Sequence, residues 1–406
     1  MTESRHVVWR YYLFRATNSA GFYVAIAIAY LEYMEFGYDF IGLAYAVFSF
    51  GMVAAEIPTG YLGDWLGRRW SLALGAVCRA LTLGAYPLVD SQAAVLWLHL
   101  LWAVGWAFRS GTIDAWLYEV LADRFDESEY ARIEGRGSTL LLGTSAVTAI
   151  LGGLLYGVDP AYPFLANAAL ALLGIPLLFT FPTVASERDD CETDECEAFT
   201  VRDATSLLHV QARRPAVRWF VLYVALFGGL FGLTRTFEQP ALNAIGFPVT
   251  GFGFLYAAFK VVSAGAAAAA GWLDDALGIR AVFALMVPVY AVAFTTVAFV
   301  PAMVVPALFL NRSLNVLTRP IRNQYLNDRL DDVGRATVLS GVSMVVGLAS
   351  GSAKLVGGWG ATHVGPVGIL PWAGVVVPAV AALLWVATAP VRAPERPGAG
   401  DAVPSD

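Results

Sequence analysis

The sequence predicts an all-α membrane protein, with twelve transmembrane helices in two pseudo-symmetric bundles of six. Three observations lead there. First, 58% of the 406 residues are hydrophobic and only 14% are charged, against about 25% charged in soluble domains, so water-facing side chains are too few for one large soluble core. Second, twelve apolar runs reach the roughly 20 residues that a helix needs to cross a hydrocarbon core. They are too long and too little alternating for strands. Third, a polar turn, Gly60-Tyr61-Leu62-Gly63-Asp64-Trp65-Leu66-Gly67-Arg68-Arg69, returns 211 residues later as Gly271-Trp272-Leu273-Asp274-Asp275-Ala276-Leu277-Gly278-Ile279-Arg280, identical at six of ten positions. A duplicated polar turn in an apolar chain points to two homologous halves in the membrane.

The first six runs cover residues 11–33, 40–60, 70–90, 94–117, 137–157 and 163–182. Residues 1–182 are therefore expected to form the N-terminal bundle. The longest polar segment, 183–215, runs from just after Pro182 to Pro215 and is expected to be a cytoplasmic linker. Runs at 217–237, 250–271, 281–300, 302–321, 337–360 and 367–389 make 216–390 the C-terminal bundle. A second echo supports the duplication: Gly135-Arg136-Gly137-Ser138 opens the fifth run and Gly334-Arg335-Ala336-Thr337 the eleventh. The tail, 391–406, is rich in Pro, Ala and Asp and is expected to be disordered.

Charge orients this arrangement. The even-numbered connections and both tails hold every basic residue outside the runs, and the odd-numbered connections hold none. By the positive-inside rule both termini are cytoplasmic, in a multi-pass protein of the plasma membrane. Twelve tryptophans and 17 tyrosines suit membrane interfaces. No cleavable leader pattern precedes the first run, and no concentrated basic face points to nucleic acid.

Three cysteines make no disulfide framework. Cys191 and Cys196 flank an acidic stretch, and two such ligands make a poor metal site. No metal or other cofactor is expected. Scattered histidines, with neither an H-E-x-x-H nor a G-x-S-x-G pattern, argue against an enzyme.

The pattern G-x-L-x-D-x-x-G-R-R between runs two and three, set in a 6+6 chain, resembles the major facilitator superfamily. The match is full over Gly60 to Arg69 and degenerate over Gly271 to Arg280, which makes Gly60, Gly63, Asp64, Gly67, Arg68, Arg69, Gly271, Asp275, Gly278 and Arg280 the gating-motif candidates. On the residues alone, Gly60 and Gly67 permit tight turning and close helix contact, and Asp64 caps a helix or pairs with an arginine. The resemblance implies a gate in which Asp64 latches the halves in one facing state; a simple capped turn is the alternative. Two patterns of proton-coupled exporters are missing: Leu101 stands four residues before Gly105 where they carry arginine, and 143–153 lacks a proline.

Ionisable residues inside membrane spans are costly and usually face a cavity or each other. The resemblance implies that runs one, four, seven and ten line a central path, and each carries an arginine: Arg15, Arg109, Arg235 and Arg312. Asn311 and Asn315 join them in run ten, and Lys260 and Lys354 lie in the flanking runs eight and eleven. These eight are the substrate-path candidates; ion pairs such as Arg235 with Glu238 are the competing reading. Asp114, Glu32 and Glu238 are the coupling candidates, since a buried carboxylate exchanges a proton near neutral pH. Asp114 alternatively neutralises Arg109 or Arg312.

The expected function is secondary active transport of a small organic solute by alternating access in a monomeric permease. The excess of basic charge favours an anionic solute, with proton coupling open. A multidrug-type efflux permease and a non-transporting sensor on the same fold are the alternatives.

Overall fold

The computed structural model describes residues 2–124, 127–182, 213–329 and 335–392. Residues 183–212 of the linker (Cys191 and Cys196 among them), residues 393–406 of the tail and Gly334 lie outside these residues, while Pro215 already opens a helix and Val391 is buried; the side chains of Asp64 and of Arg335 to Thr337 are likewise not described. Among the described residues every regular element is helical.

The chain opens with α1 (Thr2–Thr17), α2 (Gly21–Val24) and α3 (Ala27–Tyr33). The first run is therefore not one helix, as its apolar length implies, but three pieces. The sequence Thr17-Asn18-Ser19-Ala20-Gly21 breaks it, because short polar side chains and glycine compete with helical hydrogen bonds. α4 (Tyr38–Leu66) and α5 (Arg68–Ala85) follow. α6 (Gln92–Arg109) and α7 (Thr112–Arg124) divide the fourth run at Gly111, whose φ of 73° favours glycine. α8 (Tyr130–Val158) and α9 (Tyr162–Leu178) complete the first group.

The second group contains α10 (Pro215–Ala244), α11 (Phe252–Ala268), α12 (Ala270–Leu277), α13 (Ile279–Thr295), α14 (Val304–Asn327) and α15 (Arg335–Thr388). α15 holds the last two predicted runs, joined at Gly365, where φ is 79°.

Eight described segments are long and apolar enough to cross a membrane, including Val338–Thr388, whose 51 residues contain that kink. α14 is not among them; Asn311, Arg312, Asn315 and Arg319 make it polar. Tryptophans exposed on the outer surface mark two levels. Trp9, Trp65, Trp70 and Trp272 lie toward the end that bears the termini, and Trp97, Trp359 and Trp372 toward the far end. Such belts sit at membrane–water boundaries.

The repeated turns share one backbone. Gly67 (φ 83°, ψ 158°) ends α4, and Gly278 (φ 74°, ψ 152°) ends α12. Each glycine N–H donates four residues back, to Gly63 at 3.0 Å and Asp274 at 2.7 Å. Non-glycine residues rarely adopt this conformation. Gly60 differs from expectation. A Cβ there, or on Gly271, would meet nothing within 4 Å, so neither glycine makes a close helix contact in this conformation. Gly63 does, against the Ser71 side chain.

The two groups meet along α4–α15 and α8–α11. A Cβ on Gly42 would fall 2.5 Å from the Lys354 carbonyl oxygen, and one on Gly253 would run into the Ala149 carbonyl. Small residues thus let backbones touch where apolar attraction between helices is weak. Both approaches lie toward the far end. Nearer the termini the link is lighter: Ser340 donates to Glu56 Oε1 at 3.2 Å.

Candidate functional site

A cleft of about 190 Å3 opens between the two groups. One wall is aromatic, from Tyr23, Tyr45, Phe48, Trp102 and Trp106; the other is polar, from Arg235, Glu238, Gln239 and Lys354. The break in the first run places this cleft. Interrupted helices leave backbone groups without partners, and such backbone is tolerated at membrane depth only where protein or a cavity satisfies it.

Gln239 does so across the interface. Its Oε1 accepts from Ile28 N–H at 2.9 Å and Ala29 N–H at 3.0 Å, and its Nε2 donates to the Val24 carbonyl at 3.0 Å. One side chain of α10 therefore completes the gap between α2 and α3 and closes the far end of the cleft. Sequence reasoning missed it, because a lone glutamine beside Pro240 in an apolar run gives no periodic signal.

The charges in α10 and α14 form one cluster. Glu238 is 4% exposed. Arg312 Nη2 donates to both its oxygens, at 2.6 and 2.8 Å, and Arg235 Nη1 donates to Oε1 at 2.8 Å. One carboxylate thus faces two guanidinium groups. Arg312 also lies over Phe259, 4.3 Å from the ring centroid, and over Tyr256 at 5.3 Å. Lys260 approaches Tyr256 at 5.1 Å, so Tyr256 stands beside both cations. Lys354 reaches across the interface and donates to Ser49 Oγ at 2.6 Å. Arg235, Arg312, Lys260 and Lys354 thus share this region with one described carboxylate, Glu238. Charges desolvated in this way need compensation.

The remaining candidates lie elsewhere. Arg15 turns away from the cleft into a cluster of its own, donating to Asp114 Oδ1 at 3.4 Å, Glu134 Oε1 at 3.3 Å and Ser138 Oγ at 2.6 Å. Asp114 is bound to Arg15, and neither Arg109 nor Arg312 makes an ion pair with it. Glu32 accepts from the Tyr38 hydroxyl at 3.4 Å, on α3 near the far end. Asn311 is buried and accepts from the Tyr290 hydroxyl at 3.1 Å, a contact within the second group. Asn315 lines a separate cavity of about 350 Å3 with Tyr223, Phe227 and Arg319. His99 is fully buried among Tyr45, Tyr86 and Trp102, with Nδ1 2.9 Å from the Val95 carbonyl.

Arg109 packs on Trp106, 4.0 Å from the ring centroid, and donates to the Asn18 carbonyl at 3.2 Å. Arg79 donates to the same carbonyl at 3.3 Å. Arg79 is not among the sequence-derived candidates, since the third run is not one of those that the resemblance places on the path; the break at Asn18 draws it in.

At the repeated turn, Arg68 pairs with Glu119 at 3.1 Å, and Arg69 donates to the Phe181 carbonyl at 3.2 Å. The second copy is barer: Asp275 and Arg280 are exposed. The proposed latch by Asp64 falls on a side chain outside the described residues.

A helical membrane protein, with a repeated turn and a polar cleft between two helix groups, has the architecture of the solute permeases. The Major Facilitator Superfamily model matches residues 11–243, and the chain belongs to that superfamily. An uncharacterized MFS-type transporter of Bacillus subtilis, YxaM, is 23% identical over 249 residues, covering 61% of each chain. Another from Methanocaldococcus jannaschii, MJ1317, is 27% identical over 143 residues, 35% of this chain and 33% of that protein. The matches therefore span about three-fifths and one-third of these relatives' lengths.

Among solved structures, a mutant form of the nucleoside transporter NupG superposes with a TM-score of 0.75 at 12% identity, covering 95% of this chain and 99% of that one. A bacterial homologue of the human lysosomal transporter Spinster, inward-facing and occupied, gives 0.69 at 14% identity, with 95% and 96% covered. These likenesses establish the fold.

Proposed function

We propose that this protein is a secondary transporter that moves a small organic anion by alternating access, with the cleft between its two helix groups as the binding site. One observation carries the reading. Arg235 and Arg312 hold the carboxylate of Glu238, Lys354 lines the same cleft and Lys260 stands beside Tyr256, so that among the described residues four cations occupy this region with one carboxylate. An incoming anion restores the balance that Glu238 alone leaves short, and the aromatic wall supports the apolar part of a solute.

Glu238 then has a second role. An anion that engages Arg312 competes with Glu238 for the same guanidinium, so solute binding and the ion pairs of Glu238 are linked. Of the three coupling candidates Glu238 is favoured, since Asp114 and Glu32 have partners away from the cleft. The two groups rock about the cleft, and the far-end contacts of Gln239, Gly42 and Gly253 belong to the far-end-closed state. Both termini lie in the cytoplasm and the membrane is the plasma membrane, as the distribution of basic loop residues supports.

The test is uptake into proteoliposomes from a panel of carboxylates, phosphate esters, nucleosides, pentoses and lipophilic cations. The panel takes in the solute classes named for NupG and for the D-xylose–proton symporter that shares this fold. Anion uptake that falls at least tenfold in both Arg312→Gln and Lys354→Met is expected. Transport of neutral or cationic solutes alone, undiminished in both variants, rejects the anion reading and favours the multidrug-type alternative suggested by the aromatic wall.

A further inference from the structure

We propose that Arg79 and Arg109 hold a compact monovalent anion, either a free halide or an acidic group of similar size, against the broken end of α1.

The two guanidinium groups share one acceptor, the Asn18 carbonyl, and Arg109 Nη1 also lies 3.5 Å from Asn18 Oδ1. Arg79 Nη1 lies 3.3 Å from the Asn18 carbonyl oxygen and Arg109 Nη1 lies 3.2 Å from it, while Arg79 Nη2 reaches the Thr17 carbonyl at 3.4 Å. These carbonyls end α1, where the last acceptors of a helix have no partner within it and carry partial negative charge. That partial charge attracts the guanidinium groups but is too small to neutralise two full positive charges.

Among the described residues neither arginine has a carboxylate within ion-pair distance. Asp114, five residues after Arg109, is held by Arg15 at 3.4 Å. Arg79 is only 5% exposed, and its Nε has no hydrogen-bond acceptor. Two like charges crowded on one acceptor in a poorly screened interior repel strongly, and a small anion between them removes the repulsion.

The two arginines face an existing narrow opening. Asn18, Gly75, Arg79, Gly105, Trp106 and Arg109 line a cleft of about 10 Å3, the lower limit for one water, so an anion enters as the two guanidinium groups part. Gly75 and Gly105 bring α5 and α6 together, since a Cβ on Gly75 would fall 3.0 Å from the Gly105 carbonyl oxygen. Arg109 stacks on the Trp106 face, a geometry that leaves the in-plane N–H groups of a guanidinium free to donate. Trp106 also lines the larger cleft between the helix groups, so the anion and a solute there share a wall.

Binding, and not transport, is the readout, so the outcome is independent of the transport reading. The purified full-length protein is melted in detergent at fixed ionic strength, with sodium gluconate replaced stepwise by chloride or by formate. A saturable rise of about 3 °C is expected. A rise with chloride identifies a free halide; one with formate and not chloride identifies the acidic group of a larger solute. Equal melting in all three salts overturns the proposal. Arg79→Gln and Arg109→Gln are each expected to abolish the rise, and a rise of full size in both overturns it. If either variant fails to fold, Arg109→Lys, which keeps the charge and loses the fork, is expected to weaken the apparent affinity about tenfold, and an unchanged affinity counts against the site. Bromide-derivatised crystals of the unaltered protein give a further check: an anomalous peak is expected between the two guanidinium groups, and its absence at saturating bromide overturns the halide arm.

Discussion

Replacing Gln239 with leucine should tilt the balance between the two facing states. In the conformation described here Gln239 satisfies two backbone N–H groups, of Ile28 and Ala29, and one carbonyl, of Val24. Leucine is of similar size and offers none of these bonds. Gln239 itself is 4% exposed, so with leucine in place the three backbone groups stay buried without partners. When the far end opens, water reaches them and the loss disappears. An ordinary hydrogen bond contributes about 0.5–1.5 kcal/mol net. Three of them set the cost of the substitution at about 3 kcal/mol, borne by the closed state alone, and such a difference shifts an equilibrium roughly a hundredfold. The shift is readable by double electron–electron resonance with spin labels at Leu88 and Phe299, exposed residues at the far ends of opposite helix groups, in a background without the native cysteines. The unaltered protein should give one short distance and Gln239→Leu a dominant longer one. Identical distance distributions would refute the view that this side chain holds the far end shut.

Two further outcomes follow from the same contacts. Gly278→Ala should lower stability by about 1–2 kcal/mol, because φ is 74° there and a Cβ meets nothing within 4 Å; Gly271→Ala, equally open but helical, should raise it by up to about 1 kcal/mol, and thermal unfolding of the pair checks both signs. Asp114→Asn weakens the Arg15 cluster, whose carboxylates are half-exposed (Asp114 side chain 46%, Glu134 32%), so it should cost only about 1 kcal/mol and leave the pH dependence of uptake unaltered. A lost pH dependence would return Asp114 to the coupling role.

The class of the molecule was legible because it rests on local properties. Run length and apolar content decide whether a segment partitions into lipid, residue by residue, and the repeated glycines at 67 and 278 carry their turn geometry with them. Even the break at Thr17–Gly21 had a local signature in its small polar residues, overridden in the reading by the apolar length around it. The pairing of charges was not legible in this way. Arg15, Arg109 and Arg312 look alike in sequence, each an arginine within an apolar run. One lies among two carboxylates and a serine, one on a carbonyl and an indole, and one on Glu238.

The chain alone therefore determined a helical membrane protein with an internal repeat, because the transfer of a side chain from water to lipid depends on that side chain and its near neighbours. Only the tertiary structure decided which buried groups meet. Helix rotation, crossing and interruption bring together residues hundreds of positions apart, such as Ser49 with Lys354 and Val24 with Gln239. Hydrogen bonds and ion pairs act over a few ångströms, so the sequence supplied the charges and the packing chose their partners.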